Sequence, residues 1–195
     1  VATRRYEMSS RDRARAATRE AIIDAAVDLF TGAWFDEVTL AEVAARAGVS
    51  QQTVVNHFGS KIGVYLAGIS ERVAPAIVES RAAARPGDVE GVVAAVVRDY
   101  ETTGDGTFRT VALSERVPEL REIVERGRAA HRAWVAEMFE PQLRRRRGAR
   151  REQTLRLLVT VLDVSTWTTL RRHEGLDRDA TAAHLRALVE GVLGG

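Results

Sequence analysis

Between Thr39 and Ser60 the chain carries three helix-start signals, and the room between them admits only short helices. Thr39-Leu40-Ala41-Glu42 has the form of a capping box. In such a box the threonine hydroxyl accepts from a backbone N–H three residues on, and the glutamate reaches back to the cap. The helix that starts there, about 40–47, ends before Gly48. Ser50 caps a second over about 51–58, and Ser60 caps a longer one running to about residue 83. The tight connection Ala47-Gly48-Val49-Ser50 needs a residue that tolerates positive φ, and Gly48 supplies it. Val49 plugs the angle between the two helices, with Ala44, Val54 and Phe58 behind it. This is the pattern of a helix-turn-helix, whose second helix lies in the DNA major groove with its N-terminal side chains at base edges.

The rest of the chain keeps a helical period. Prolines occur only at 75, 86, 118 and 141, and no alternating β-branched stretch is long enough for a sheet. Ile22, Ala26, Leu29 and Phe30 mark a first helix over about 17–31. Later helices are expected at about 89–103, 107–115, 118–139, 151–173 and 178–192, with Thr103-Gly104-Asp105-Gly106 as a loop. The fold class is therefore all-α: an N-terminal three-helix helix-turn-helix domain, then a helical domain of about six helices. Residues 1–16 read as a flexible basic arm, 17–62 as the helix-turn-helix domain and 63–195 as the second domain.

Charge distribution says more than the net +2. Residues 1–19 hold six arginines against Glu7 and Asp12, a local +4, and a second cluster runs from Arg144 to Arg151. Such runs are either solvated faces or phosphate-binding surfaces. With no cysteine, disulfides, thiolate catalysis and Cys-ligated metals are excluded. No apolar run is long enough for a membrane span and no signal segment is evident, so the expected location is the cytoplasm. The four histidines (57, 131, 173, 184) lack metal-ligand spacing. No dinucleotide loop, complete phosphate loop or GxSxG elbow occurs. No enzyme activity, metal or cofactor is expected.

The polar face of the 51–58 helix is Gln51, Gln52, Thr53, Asn56 and His57, in a stretch from 43 to 59 without a single acid. Amides pair bidentately with adenine, and a threonine methyl meets a thymine methyl. Residues 18–66 resemble the N-terminal domain of the tetracycline-repressor (TetR) family of transcriptional regulators. The resemblance is carried by Ala25, Leu29, Phe30, Phe35, Thr39, Val43-Ala44, Ala47-Gly48-Val49-Ser50, His57-Phe58 and Ser60-Lys61. It implies that Thr39 caps its helix and contacts a phosphate, with Ser50 capping the next. Gln51, Gln52 and Thr53 face bases, with Asn56 beside them. His57 touches the DNA backbone and Lys61 neutralises a phosphate, while Arg46 and further arginines of the arm add phosphate contacts. Two positions depart from the family pattern. Val55 replaces a phosphate-binding tyrosine, so that contact is lost or becomes an apolar one to a thymine methyl. Trp34 stands where the family has glycine, and Gly32 is the candidate to take over its conformational role.

The resemblance further implies a ligand-responsive repressor. It would bind a palindromic double-stranded DNA operator as a homodimer through its last two helices, with a small-molecule effector in the second domain. The alternative is a helical ligand-binding or protein-interaction module that does not regulate DNA. Leu155, Leu158, Val159 and Leu162, with Leu185, Leu188, Val189 and Val192, form stripes that serve either a dimer interface or one subunit's core. Candidate effector residues are Tyr100, Phe108, Trp134, Met138, Asp163 and Trp167, each of which is also a natural core filler. Asp163 interrupts an apolar run. Buried, it needs Arg109, His131 or a cationic ligand; otherwise it lies on an exposed or interface face.

Overall fold

The computed structural model describes residues 10–195, and within them the protein is all-α. Residues 1–9 of the expected arm lie outside the described residues. The helices are α1 (Ser10–Gly32), α2 (Leu40–Arg46), α3 (Gln51–Phe58), α4 (Lys61–Gly68), α5 (Ala74–Arg81) and α6 (Val89–Ser114). They continue with α7 (Arg121–Met138), α8 (Glu140–Leu143), α9 (Gly148–Val161), α10 (Val164–Thr168) and α11 (Arg178–Gly194). Two compact units result, Val1–Ala74 and Pro75–Gly195. Among the described residues no helix is long and apolar enough to cross a membrane.

In the first unit, Ile22, Ile23, Ala26 and Phe30 form the buried stripe of α1. Val43 and Ala44 of α2, Val54 of α3 and Val64 of α4 are buried in the same unit, with α2 and α4 packed on α1 and α3 packed on α2 and α4. Phe30, Phe35 and Tyr65 add an aromatic cluster, with ring centroids 4.8–5.7 Å apart. α1 begins at Ser10 rather than near residue 17, so Arg11, Arg13 and Arg15 stand on a helix. The turn after α1 differs from expectation too. Neither Trp34 nor Gly32 takes a positive φ, so tryptophan meets no backbone penalty there. Glu37 closes the turn by accepting from Trp34 N–H at 2.8 Å.

In the second unit, α6 is one unbroken helix and the loop expected at 103–106 does not form. Thr103 bonds back to the Asp99 carbonyl at 3.0 Å and its carboxylate at 2.7 Å, which keeps the helix wound. Gly104 is there for close packing against Trp167 and makes no turn. The expected 151–173 helix is divided: α9 stops at Val161, and Asp163 caps α10 through the Ser165 N–H at 2.8 Å.

Two π-helical segments interrupt the α pattern, Ile69–Val73 and Thr169–His173, closed by bonds from Ala74 N–H to Ile69 O and from Glu174 N–H to Thr169 O. Such wide turns are rare and need outside support. The first is tied to α1 by Arg19–Glu71 and by Arg72 to Glu20 and Asp24. The second is tied to α6 by Arg171–Glu101 and Arg172–Asp105. Part of the 144–151 arginine cluster is spent inside the fold. Arg146 and Arg150 donate to the Leu193 and Gly195 carbonyls, and Arg151 pairs with Glu140.

Candidate nucleic-acid interface

The connection between α2 and α3 is a complete Schellman turn. Gly48 takes φ +68°, its N–H donates to Ala45 O at 3.2 Å, and the Val49 N–H donates to Ala44 O at 2.9 Å. Both caps read from the sequence form. The Thr39 hydroxyl accepts from Glu42 N–H at 3.2 Å, and Thr39 N–H donates to the Glu42 carboxylate at 2.7 Å. These bonds from Thr39 hold the Glu42 carboxyl below the usual carboxylate range. The Ser50 hydroxyl accepts from Thr53 N–H at 3.1 Å. At the other end of α3 the Gly59 N–H donates to Val55 O at 2.8 Å, so the helix is held at both ends, with Val54 fully buried as its anchor.

What α3 leaves outward is an array of neutral hydrogen-bonding groups. Gln51, Gln52 and Asn56 are exposed, while Thr53, Val55 and His57 are half-buried. The Gln52 amide N–H donates to Asn56 Oδ1 at 2.9 Å, four residues on, and the Ser50 and Thr53 hydroxyls lie 2.8 Å apart. These links orient the side chains before any ligand arrives and leave the Gln52 amide oxygen and the Asn56 amide N–H groups outward-capable.

The flanking residues are more committed than the sequence suggests. Lys61, at the start of α4, donates to Val38 O at 2.7 Å and sits 4.3 Å over the Phe35 ring. Its ammonium keeps two further donors. Thr39 gives its hydroxyl proton to the Glu42 carboxylate at 2.8 Å. Arg46 pairs with Asp28 at 2.9 Å, with both side chains more than half exposed. Among the described residues no cluster of three metal-ligating side chains occurs.

The expected effector residues separate into two groups. Tyr100, Met138 and Trp167 are buried in the core of the second unit, and Phe108 and Trp134 pack partly buried against it. Asp163 is not a buried carboxylate; it is the half-exposed cap of α10. The buried carboxylate is Asp99. Its Oδ2 takes the Arg81 guanidinium at 2.6 and 2.8 Å, with side-chain exposures of 8% for Arg81 and 0% for Asp99. Arg81 also reaches His131 Nδ1 at 3.0 Å and lies 4.8 Å over the Trp134 ring. Burial pushes the Asp99 carboxyl up, against the pull of Arg81 and Thr103. Burial, followed by the Arg81 charge, pushes the His131 imidazole down to about 4. The signal was present: Asp99 lies seven residues after Val92 and three after Val96, on the face of α6 that is buried.

The stripes on the last long helices serve this subunit's core for the most part. Leu155, Leu158, Leu162, Leu185 and Val189 are buried, Val159 and Val192 half-buried, and Leu188 is exposed along with Leu157.

Comparison with known proteins agrees with this arrangement. The family model for bacterial regulatory proteins, tetR family, matches residues 22–67, which span the helix-turn-helix. The chain is 28% identical over 115 residues to the HTH-type transcriptional regulator AlkX of Mycobacterium tuberculosis, across 56% of this chain and 54% of AlkX. It spans about half the length of the curated relatives it matches. Its fold is similar to that of a transcriptional regulator from Rhodococcus sp. Rha1, with a TM-score of 0.73 at 19% identity over 91% of this chain and 96% of that one. It is also similar to SmeT in the SmeT–triclosan complex, with a TM-score of 0.65 at 21% identity over 91% of this chain and 90% of SmeT. The helix-turn-helix segment therefore matches the tetR family of bacterial regulatory proteins, and the all-α fold of the described residues is similar to that of solved regulators.

Proposed function

We propose that the protein is a sequence-specific DNA-binding transcriptional regulator, a ligand-responsive repressor that binds a palindromic operator as a homodimer in the cytoplasm. The observation that carries this reading is the outward amide and hydroxyl face of α3, held rigid by a cap at each end and bordered by no acid from 43 to 59. Gln51, Gln52, Thr53 and Asn56 meet base edges, and Val55 meets a thymine methyl. His57, Ser50, Arg46 and the free donors of Lys61 meet phosphates, and Thr39 sets the angle of α2 and takes a phosphate in exchange for Glu42. Two recognition helices about 34–36 Å apart read two half-sites. Leu157 and Leu188, 46% and 44% exposed on α9 and α11, are the apolar groups that a two-fold mate would cover.

Regulation follows from linkage. An effector that binds more tightly to a conformation with the wrong spacing weakens DNA binding by the factor by which DNA weakens effector binding. The helical run from Lys61 to Arg81 contains the boundary between the two units and is the lever. That SmeT is known in complex with triclosan supports a small, largely apolar effector near Tyr100, Phe108, Trp134, Met138 and Trp167. No chemical reaction is part of this role.

Selection of bound sites from random duplex DNA tests the reading. The expected result is an inverted repeat. Gln52→Ala relaxes the preference at one position of each half-site, and Lys61→Ala weakens binding to all sequences. Failure to enrich any sequence, together with salt-insensitive retention of DNA, would return the chain to the class of helical modules that do not regulate DNA.

A further inference from the structure

The run from Arg144 to Arg151, between α8 and α9 of the second unit, holds six arginines, and no acid occurs from 141 to 151. The acids that bound it are already engaged. Arg151 takes Glu140 at 2.6 Å, and Arg132 and Arg156 take Glu152 at 2.9 and 2.8 Å. Arg146 and Arg150 turn inward to the Leu193 and Gly195 carbonyls. Arg144, Arg145 and Arg147 are left exposed, and among the described residues none of their side chains has an ion pair or a hydrogen bond. The nearest remaining acid, Glu137, lines a shallow cleft with Arg144, Pro86 and Pro141 and offsets one charge at most. The turn that carries these arginines is rigid. Leu143 is fully buried, Arg144 N–H donates to Glu140 O at 2.9 Å, and Arg146 N–H donates to Leu143 O at 3.0 Å. The Gln142 amide ties the same turn to Gly87 O at 3.0 Å, and Gly148 takes φ +53° to redirect the chain into α9.

We infer that the Arg144–Arg147 turn is a second, sequence-independent surface for duplex DNA, on the unit that does not carry the helix-turn-helix. The inference stands apart from the proposed reading of α3, since it uses no residue of the first unit. Charge density decides the partner. A duplex carries one negative charge per about 1.7 Å of its axis. An extended peptide with an acid at every position carries one per about 3.5 Å, so it offers these three guanidinium groups half the charge in the same length. Each of the three also has a planar fork of donors that suits phosphate oxygens. With Arg146 and Arg150 anchoring the turn, the backbone that presents the outward arginines is ordered before contact, and less freedom is lost on binding than from a mobile tail. Base edges have no role here, because the turn projects charge and no amide from 144 to 151.

The test isolates this surface by closing the other one. Gln52→Glu/Asn56→Glu places two acids on the exposed face of α3 and repels DNA there. The full chain with these changes is expected to keep weak binding to a short random-sequence duplex. The slope of its log affinity against log salt is about −2.7 if each of the three arginines takes one phosphate. Adding Arg144→Ser/Arg145→Ser/Arg147→Ser abolishes that binding. Adding Arg116→Ser/Arg121→Ser/Arg128→Ser, an equal change in net charge at exposed positions of the same unit, leaves it in place. Circular dichroism confirms the same helical content in every variant. If the α3 variant binds no duplex while the wild type does, the second surface is overturned and the reading of α3 survives. An equal loss from the two triple variants overturns it as well, because net charge alone would then account for the binding. An α3 variant that keeps both wild-type affinity and sequence preference overturns the reading of α3 and leaves this surface standing. A last arm adds poly-L-glutamate. If it displaces the duplex at equal concentration of charge, the turn is a general site for acidic polymers and the DNA assignment fails.

Discussion

The indole of Trp167 lies so close to the α6 backbone at Gly104 that a Cβ there would fall 2.5 Å from Cζ3. The indole is fully buried, with the Tyr100 ring 5.8 Å away on one side and the Arg172 guanidinium 4.8 Å above it. In an exposed helix, glycine to alanine gains about 1 kcal/mol of stability. At Gly104 the added methyl has to displace a buried ring, and overpacking of this kind costs about 1–3 kcal/mol. Gly104→Ala is therefore expected to lower the unfolding temperature. Gly127→Ala, where a Cβ on exposed α7 meets nothing within 4 Å, is expected to raise it. Thermal melts of the two variants with opposite signs support the packing role; a gain at Gly104 would refute it.

Gly48 holds a different kind of constraint. Its φ is +68° and a Cβ there meets nothing within 4 Å, so a substitution is opposed by the backbone alone. Alanine in this left-handed conformation costs about 1–2 kcal/mol. Asparagine, which tolerates it better, is expected to cost less. Denaturant titrations of Gly48→Ala and Gly48→Asn check the order. Equal costs would mean that the α2–α3 connection relaxes out of the Schellman turn.

The contrast between these two glycines shows what the sequence makes legible. Gly48 is flanked by caps at Thr39 and Ser50, so its punctuation is local, and the connection with its two short helices could be read from neighbours alone. Gly104 sits among Thr103, Asp105 and Gly106, which look like a loop by composition. Its actual role depends on Trp167, some sixty residues away, and no local pattern records that contact. Asp163 and Asp99 divide in the same way. Asp163 interrupts an apolar run, which leaves a buried and an exposed placement equally open in the sequence; it is the half-exposed start of a new helix. Asp99 looked unremarkable because its partner Arg81 lies beyond the Arg85-Pro86-Gly87 turn. On α3 the outward groups followed from a clean helical period, whereas the inward turn of Lys61 onto Val38 O and Phe35 depended on tertiary geometry.

The Arg81–Asp99 pair should be expensive to break on one side only. Asp99→Ala leaves a guanidinium buried without its counter-charge, and such truncations cost about 3–5 kcal/mol. The double variant Arg81→Met/Asp99→Leu removes both charges and restores apolar packing, so it is expected to regain a large part of that loss. Chemical denaturation of the single and double variants measures the coupling. Additive losses would show that the pair acts as two separate side chains.

His131 connects this pair to pH. Its imidazole has a folded pKa of about 4 against 6.5 for the free side chain, because burial and then the Arg81 guanidinium oppose its charge. Between those values the unfolded chain holds a proton that the folded chain does not, so stability rises with pH across this window and is lost as pH falls through it. A shift of this size corresponds to about 3 kcal/mol, fully present above the unfolded pKa and absent below the folded one. His131→Gln removes the titrating group while retaining a polar side chain. The difference in unfolding free energy between wild type and this variant should therefore change by about 3 kcal/mol in favour of the variant between pH 7 and pH 4. Carboxylates elsewhere titrate in both proteins and cancel in the difference. A difference that stays flat over this range would mean that His131 keeps its ordinary affinity for protons and that the Arg81 contact leaves it free to charge.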